Sequence, residues 1–251
     1  MVWGMSELTQ QDLASRILAA LTSLRELLAT LDDEATAAPS VLPGWTRAHV
    51  VAHIDGFAKA AKRQLDTAGT EDPSPMYDGG PEGRDSDIEM AALMRSGPLV
   101  ARTNESLGAL ESAVRATGTG QWDLATGFRG GGSVAELFHA IWRELVIHTS
   151  DLALDRTVAD WEPEFCAHLF DELVVRVPEG RRYVLQPHGA QRIILGDGED
   201  ATVLSGTDFD LAAWLAGREP VGPVQATADG DGTDLPELGP WPSGQKSKKQ
   251  V

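Results

Sequence analysis

The sequence predicts an α+β chain in which an N-terminal four-helix bundle precedes a small α+β domain. Three observations carry this. Upstream of about Asp160, apolar residues recur at three- and four-residue steps through four long segments. Those segments are separated by Pro- and Gly-rich breaks. Downstream, short β-branched runs alternate with Gly-containing turns. The expected division is a bundle over 1–158, a small α+β domain over 159–235 and a disordered, Pro-rich and terminally basic tail over 236–251.

Taken in order, Ser6 is placed to cap a helix carrying Leu13, Ile17, Leu21, Leu24, Leu28 and Leu31, which runs to about Asp32. Pro39, Pro43 and Gly44 break the pattern, and Thr46 caps a second helix that fades at Gly69. A Pro/Gly-rich loop follows. The third helix is expected from about Asp85 to Arg115, with Ile88, Leu93, Leu99 and Leu107 on its apolar stripe and a kink at Gly97-Pro98. GTGQWDLATGFRGGGS is an excursion with room for a short strand. Ser133 and Glu136 then form an S-x-x-E capping box that opens the fourth helix, SVAELFHAIWRELVIHTSDLAL. In the second domain EPEFCAHLFDELVVRV reads as a helix, RRYVLQPHG, AQRIILG and ATVLSG as strands, TDFDLAAWLAGRE as a short helix and VGPVQATADG as a last strand.

Composition narrows the function. Twenty-one basic against 38 acidic residues give a net charge of −17, a surface that repels nucleic-acid phosphates. No apolar run approaches the roughly 18 residues of a membrane span, and MVWGMSELTQQ lacks the basic-then-apolar pattern of a secretory signal. A cytoplasmic protein that binds neither nucleic acid nor membrane is expected, as a monomer or homodimer. One cysteine, Cys166, allows no intrachain disulfide and no Cys-rich zinc site, so any metal would take nitrogen and oxygen ligands.

The histidines are informative by their placement. His49 and His53 lie four apart on the second helix, and Glu144 and His148 four apart on the fourth. Four residues advance about 400°, leaving each pair about 40° apart around the axis and about 6 Å along it. Each pair therefore projects from one face, and bundles build metal sites from inward-facing Glu and His. Two His and one Glu on a zinc-like ion leave one position open, the mark of a catalytic site. His53, a turn deeper than His49, is favoured as the partner of Glu144 and His148, with His49 in the wall. The plainer reading is a Glu–His pair hydrogen-bonded along one helix. His139, nine residues before His148, is about 180° out of phase with it and reads as structural. Metalloprotease chemistry wants H-E-x-x-H, which does not occur; nor do G-x-S-x-G, a P-loop or G-x-G-x-x-G.

The strings LPGWTRAHVVAHI, PMYDGGPEGRDSDIE and WRELVIHTSDL, in this order, resemble the mycothiol-dependent maleylpyruvate isomerase family, whose N-terminal part is a DinB-like metal-binding bundle. LAGREPVGPV is similar to that family's A-G-R segment. The resemblance covers nearly the whole chain. It implies a sterol-carrier-like C-terminal domain, metal ligands at His53, Glu144 and His148, and a functional arginine at Arg218 able to clamp a substrate carboxylate. Arg143 and Tyr77 fall within matching motifs, Arg143 as a second candidate catalytic arginine and Tyr77 in a loop able to close over the site. The implied cofactors are a divalent metal, zinc foremost, and mycothiol as thiol cosubstrate; His49 and Tyr77 are the residues expected near the thiol. A metal-bound thiolate would add to the cis double bond of a small electrophile, the resulting single bond would rotate, and elimination would leave the trans product. Attack without elimination would be S-transfer.

The opposing reading is a non-catalytic module that holds a metal structurally and carries a small molecule or lipid. The open coordination position favours the enzyme. Arg218 also has a structural reading, in which it satisfies carbonyls at a helix end. Trp45 reads as a staple at the start of the second helix, Trp122, Trp142, Trp161 and Trp214 as core, and Cys166 as a small hydrophobe.

Overall fold

The computed structural model describes residues 8–227 and 234–242. The chain divides into two compact units, Met1–Arg156 and Thr157–Val251. The first is helical: α1 (Gln10–Leu28), α2 (Asp33–Ala37), α3 (Arg47–Asp66), α4 (Gly80–Ala92), α5 (Ser96–Ala116) and α6 (Val134–Asp151). The long helices α1, α3, α5 and α6 make the bundle, and α4 packs against α3.

Helix α1 starts at Thr9, whose side chain accepts from the Asp12 amide while Asp12 accepts from the Thr9 amide. Ser6, the cap expected from the sequence, lies outside the described residues. Leu13, Ile17, Leu21, Leu24 and Leu28 are buried along one stripe of α1, each worth about 1.5–3 kcal/mol of burial. Helix α3 is the central element and is buried on most of its circumference. Ala48, Ala52, Ala58, Ala60 and Ala61 let its neighbours approach closely.

The start of α3 is fastened to the end of α6. Arg47 donates from Nε to the Leu152 carbonyl at 2.6 Å and from Nη2 to the Ala153 carbonyl at 2.7 Å. Ala153 has φ 52°, a left-handed position that ends α6. The Val41 amide reaches the Asp151 carbonyl at 3.1 Å. These bonds satisfy C-terminal carbonyls that a helix leaves open, and they bring the turn holding His53 beside the turn holding His148.

The third helix differs from expectation. It is two helices, α4 and α5, broken at Leu93–Arg95, and Pro98 lies in the first turn of α5, where no intrahelical donor is missing. The break turns Leu93 outward to 80% exposure, whereas Ile88, Leu99 and Leu107 are buried. The excursion before α6 holds two short 3-10 turns and one isolated bridge, Ala125–Ser133, in place of a strand. The Ser133–Glu136 box caps α6 as the sequence predicts.

The second unit contains α7 (Pro163–Glu172), β1 (Arg181–Pro187), β2 (Ile193–Leu195), β3 (Asp200–Gly206), α8 (Asp208–Leu215) and β4 (Gln225–Thr227). The sheet order is β2-β1-β3-β4, with β1 and β3 parallel in the register Val184–Val203 and both outer pairs antiparallel. The fold is thus α+β. Tyr183 of β1 packs edge-on against Trp214 of α8, ring centroids 5.5 Å apart. Residues 236–242, expected to be disordered, are tied to this unit: the Tyr183 hydroxyl donates to the Glu237 carbonyl at 3.0 Å, and Gly239 exchanges hydrogen bonds with Arg176. The rest of that tail, 243–251, lies outside the described residues.

Candidate metal centre

Three side chains from α3 and α6 converge. His53 Nε2 lies 2.9 Å from Glu144 Oε2, and His148 Nε2 lies 3.2 Å from the same oxygen. The two imidazoles meet edge to face at 4.4 Å between centroids. One ligand atom from each of the three falls within 4.8 Å of the others. Among the described residues, this is the group of His, Cys, Asp and Glu side chains placed to hold a metal ion. Nitrogen–nitrogen–carboxylate donors at this spacing suit a zinc-like dication.

A further carboxylate stands behind the cluster. His148 Nδ1 lies 2.8 Å from Oδ2 of the fully buried Asp151. An ionised carboxylate only accepts, so His148 carries its proton on Nδ1 there and presents Nε2 to the cluster. Burial opposes charge on His148, but the carboxylates of Asp151 and Glu144 outweigh it and raise the pKa to about 9. Burial also raises Glu144, yet its bonds to the two imidazoles hold it well below the usual carboxylate range. His53 is pushed the other way, lowered by burial first and by the charge on His148 second.

His53 also lines a cavity of about 240 Å³ together with Gly56, Met76, Tyr77, Arg84 and Ile88. Tyr77, expected in a closing loop, forms part of this wall. Burial, and the charge on Glu144 after it, raise its phenol pKa. His49 stands apart from the ligands. Its Nδ1 accepts from the Thr46 amide at 3.2 Å, at the first turn of α3, and its Nε2 lies 3.5 Å from Glu89. Trp45, read from sequence as a staple, stacks on His49 at 6.1 Å and tilts over His53 at 5.9 Å, so it walls the cluster. Nothing in the sequence pattern signalled Trp45 or Asp151 as neighbours of the cluster.

The remaining residues lie elsewhere. Arg143 is 5% exposed, precedes Glu144 by about 100° of helix turn, and does not line the cavity. Arg218 belongs to the second unit, where it follows Gly217 at φ 71°. The Gly217 amide reaches the Trp214 carbonyl and the Arg218 amide the Ala213 carbonyl, a Schellman closure of α8. Its guanidinium donates to the Ala216 carbonyl at 3.0 Å and lies 5.9 Å from the Trp241 ring. His139 is half-buried on α6, outside the cluster.

A helical bundle whose facing helices aim two imidazoles and a carboxylate at one point, in a chain that also carries a small α+β unit, has side chains placed to hold a metal ion. The family model described as "Mycothiol maleylpyruvate isomerase N-terminal domain" matches residues 17–153, and "MDMPI C-terminal domain" matches 160–237. The chain belongs to the mycothiol-dependent maleylpyruvate isomerase family, a family of enzymes. A crystal structure of the mycothiol-dependent maleylpyruvate isomerase superposes with a TM-score of 0.82 at 25% identity, covering 94% of this chain and all of that one. A variant of that isomerase with a histidine replaced by alanine gives the same score and coverage at 24% identity. Comparison with curated proteins returns no match.

Proposed function

We propose that this protein is a metal-dependent enzyme that uses mycothiol to act on a small electrophile, by maleylpyruvate-type cis–trans isomerisation or by S-transfer. The observation that carries the reading is the convergence of His53, Glu144 and His148 on one point, with His53 also lining a cavity, in a chain of this family. A dication held there lowers the pKa of a coordinated thiol, so sulfur is available as thiolate at neutral pH.

The chain's own residues set the stage for that chemistry. Asp151 fixes the ring of His148 and leaves Nε2 toward the ligand point. Trp45 shields His53 on one side, which excludes water from part of the cluster. Tyr77 offers a phenol that stays protonated at physiological pH and can donate to substrate. For Arg218 the resemblance implies the role of holding a substrate carboxylate. His49 acts through the wall it shares with Trp45, and Arg143, buried beside Glu144 on α6, is kept as the second candidate catalytic arginine. The protein's own thiol is not the nucleophile: Cys166 is 0% exposed, and burial pushes its pKa up.

The test is a thiol panel. Metal-replete protein is assayed with maleylpyruvate and generic electrophiles, with mycothiol, glutathione or bacillithiol supplied in turn. Turnover should require mycothiol and survive Cys166→Ser. Thiol-independent turnover, or tight capture of an apolar ligand with no turnover and no metal in the purified protein, would replace the enzyme reading with that of a binding module.

A further inference from the structure

We infer that Arg84 and Tyr77 form an anion subsite in the cavity beside His53, and that it takes a carboxylate of the electrophile. The inference rests on the reading of the cluster as the reaction centre and adds the residues that hold a substrate carboxylate beside it.

Four cationic side chains line the cavity: Lys59, Arg63, Arg84 and Arg102. Three are engaged by the fold. Lys59 and Arg102 both reach Oδ2 of buried Asp55 at 2.7 Å. Arg63 donates to Asp78 at 2.8 Å and to the Met76 carbonyl at 2.6 Å. Arg84 is different. Its Nε and Nη2 meet one oxygen of Asp85, which is 61% exposed and open to competition from water, and its Nη1 makes no hydrogen bond among the described residues. The exposed Asp87 is the acidic member of the rim on this helix.

The second donor is pre-placed. Arg63 grips the residues on either side of Tyr77, and the Gln64 side chain holds the Ser74 carbonyl at 2.8 Å. The loop is thereby fastened to α3, and the phenol is held in the cavity wall with no hydrogen-bond partner for its hydroxyl among the described residues. The Arg84 guanidinium lies 6.0 Å from the Tyr77 ring. The Nη1 of Arg84, which carries charge and no hydrogen bond, and the Tyr77 hydroxyl therefore belong to side chains that line one small space. A carboxylate satisfies both with charge-assisted bonds, and a neutral group satisfies neither as well.

The space itself is kept open. Gly56 lies in the interior of α3, where glycine disfavours a helix by roughly 1 kcal/mol relative to alanine. A Cβ there would meet nothing within 4 Å, so the absent side chain is open volume beside His53. An electrophile anchored at Arg84 would lie along this floor, on the wall that His53 shares.

The test measures binding apart from turnover. Maleate and dimethyl maleate are titrated by calorimetry into wild-type protein, Arg84→Gln, Arg84→Lys and Tyr77→Phe, each with and without metal. Arg84→Gln should weaken maleate by about 10- to 100-fold and Tyr77→Phe by roughly 5-fold. Arg84→Lys should recover only part of the loss, and the diester should bind weakly to all. In turnover, Arg84→Gln should raise KM for the electrophile and leave KM for mycothiol unchanged. Gly56→Leu, which fills the floor, should lose maleate binding with both donors intact. Maleate affinity in Arg84→Gln within twofold of wild type, at unchanged melting temperature, overturns the subsite; so does a wild-type protein that binds no maleate, or a rise confined to the thiol KM. Arg84-dependent maleate binding in a protein with no thiol-dependent turnover would keep the subsite and overturn the enzyme reading instead.

Discussion

Two carboxylates in the bundle, Asp55 of α3 and Glu144 of α6, show how the same chemical group serves opposite ends. Asp55 is fully buried, and both of its oxygens are met: Ser106 donates to Oδ1 at 2.6 Å, and Lys59 and Arg102 donate to Oδ2. All of those donors reach it from helices already packed together, so the group joins α3 to α5 and has nothing left to offer. Glu144 keeps 27% of its side chain exposed, and one of its oxygens collects both imidazoles. In the second arrangement three lone-pair-bearing atoms crowd one point, held together by protons that a cation can displace. A completed polar network fastens helices; a convergent and displaceable one binds. Substitutions in each should separate the two networks experimentally.

The largest effect should come from the ligands. His53→Ala or His148→Ala should reduce bound metal from about one ion per chain to near none, and thiol-dependent turnover should fall by roughly 10³-fold or more. Metal analysis after dialysis against a weak chelator checks the first, and a mycothiol-dependent assay the second. Folding of the metal-free protein should be little affected. Full metal retention in either variant would remove the distinction between the two carboxylate networks.

Next comes the residue behind the cluster. Asp151→Asn should weaken metal binding by about 10- to 100-fold at pH 9, because the imidazole loses the carboxylate that orients it and raises its basicity. The pH dependence follows from His148. Its pKa in the fold, about 9, exceeds the ordinary 6.5. The charged imidazolium therefore stabilises the metal-free fold fully below about pH 6.5, and that contribution is lost as pH rises through about 9. Metal binding must expel this proton, so wild-type affinity should climb about tenfold per pH unit across that window and level off above it. Removing the Asp151 charge should move the levelling point to lower pH. A competition titration with a chelating dye at several pH values reads both effects.

How much of this the sequence revealed depends on whether a feature is local. His53, Glu144 and His148 were legible because four-residue spacing puts side chains on one helix face, and two such pairs lie on helices of one bundle. The Ser133–Glu136 cap was legible for the same reason. The break at Leu93 was not, because Gly97-Pro98 reads as a kink whether the chain pauses there or three residues earlier; what decides is the packing of α4 on α3. Asp151 sits three residues after His148, a spacing with many ordinary uses, and only its full burial marks it. Trp45 reads as a staple because its contacts with His53 arise from how α3 begins. Residues 236–242 have a tail's composition, yet Gly239 and Trp241 find Arg176, a partner some sixty residues away in sequence. Arg84 carries no motif of its own; it stands out because Lys59 and Arg102 share the buried Asp55 and Arg63 holds Met76 and Asp78, whereas its own partner is the exposed Asp85.

The smallest effect should be on the fastening carboxylate, and it should have the opposite character. Asp55→Asn keeps the shape and a partner for Ser106 but removes the charge that Lys59 and Arg102 share. Breaking a buried ion pair costs about 3–5 kcal/mol when both partners are buried. Here Lys59 is 49% and Arg102 41% exposed, so water compensates them in part, and about 2 kcal/mol is expected. Denaturant unfolding of the metal-free protein measures this. Metal content should stay at the wild-type level, because α3 and α6 remain joined by Arg47 at the far turn. The two freed cations would add positive charge to the cavity, so maleate should bind as well as before or slightly better. Loss of metal together with stability would mean that Asp55 holds His53 in place, and that the two networks act as one.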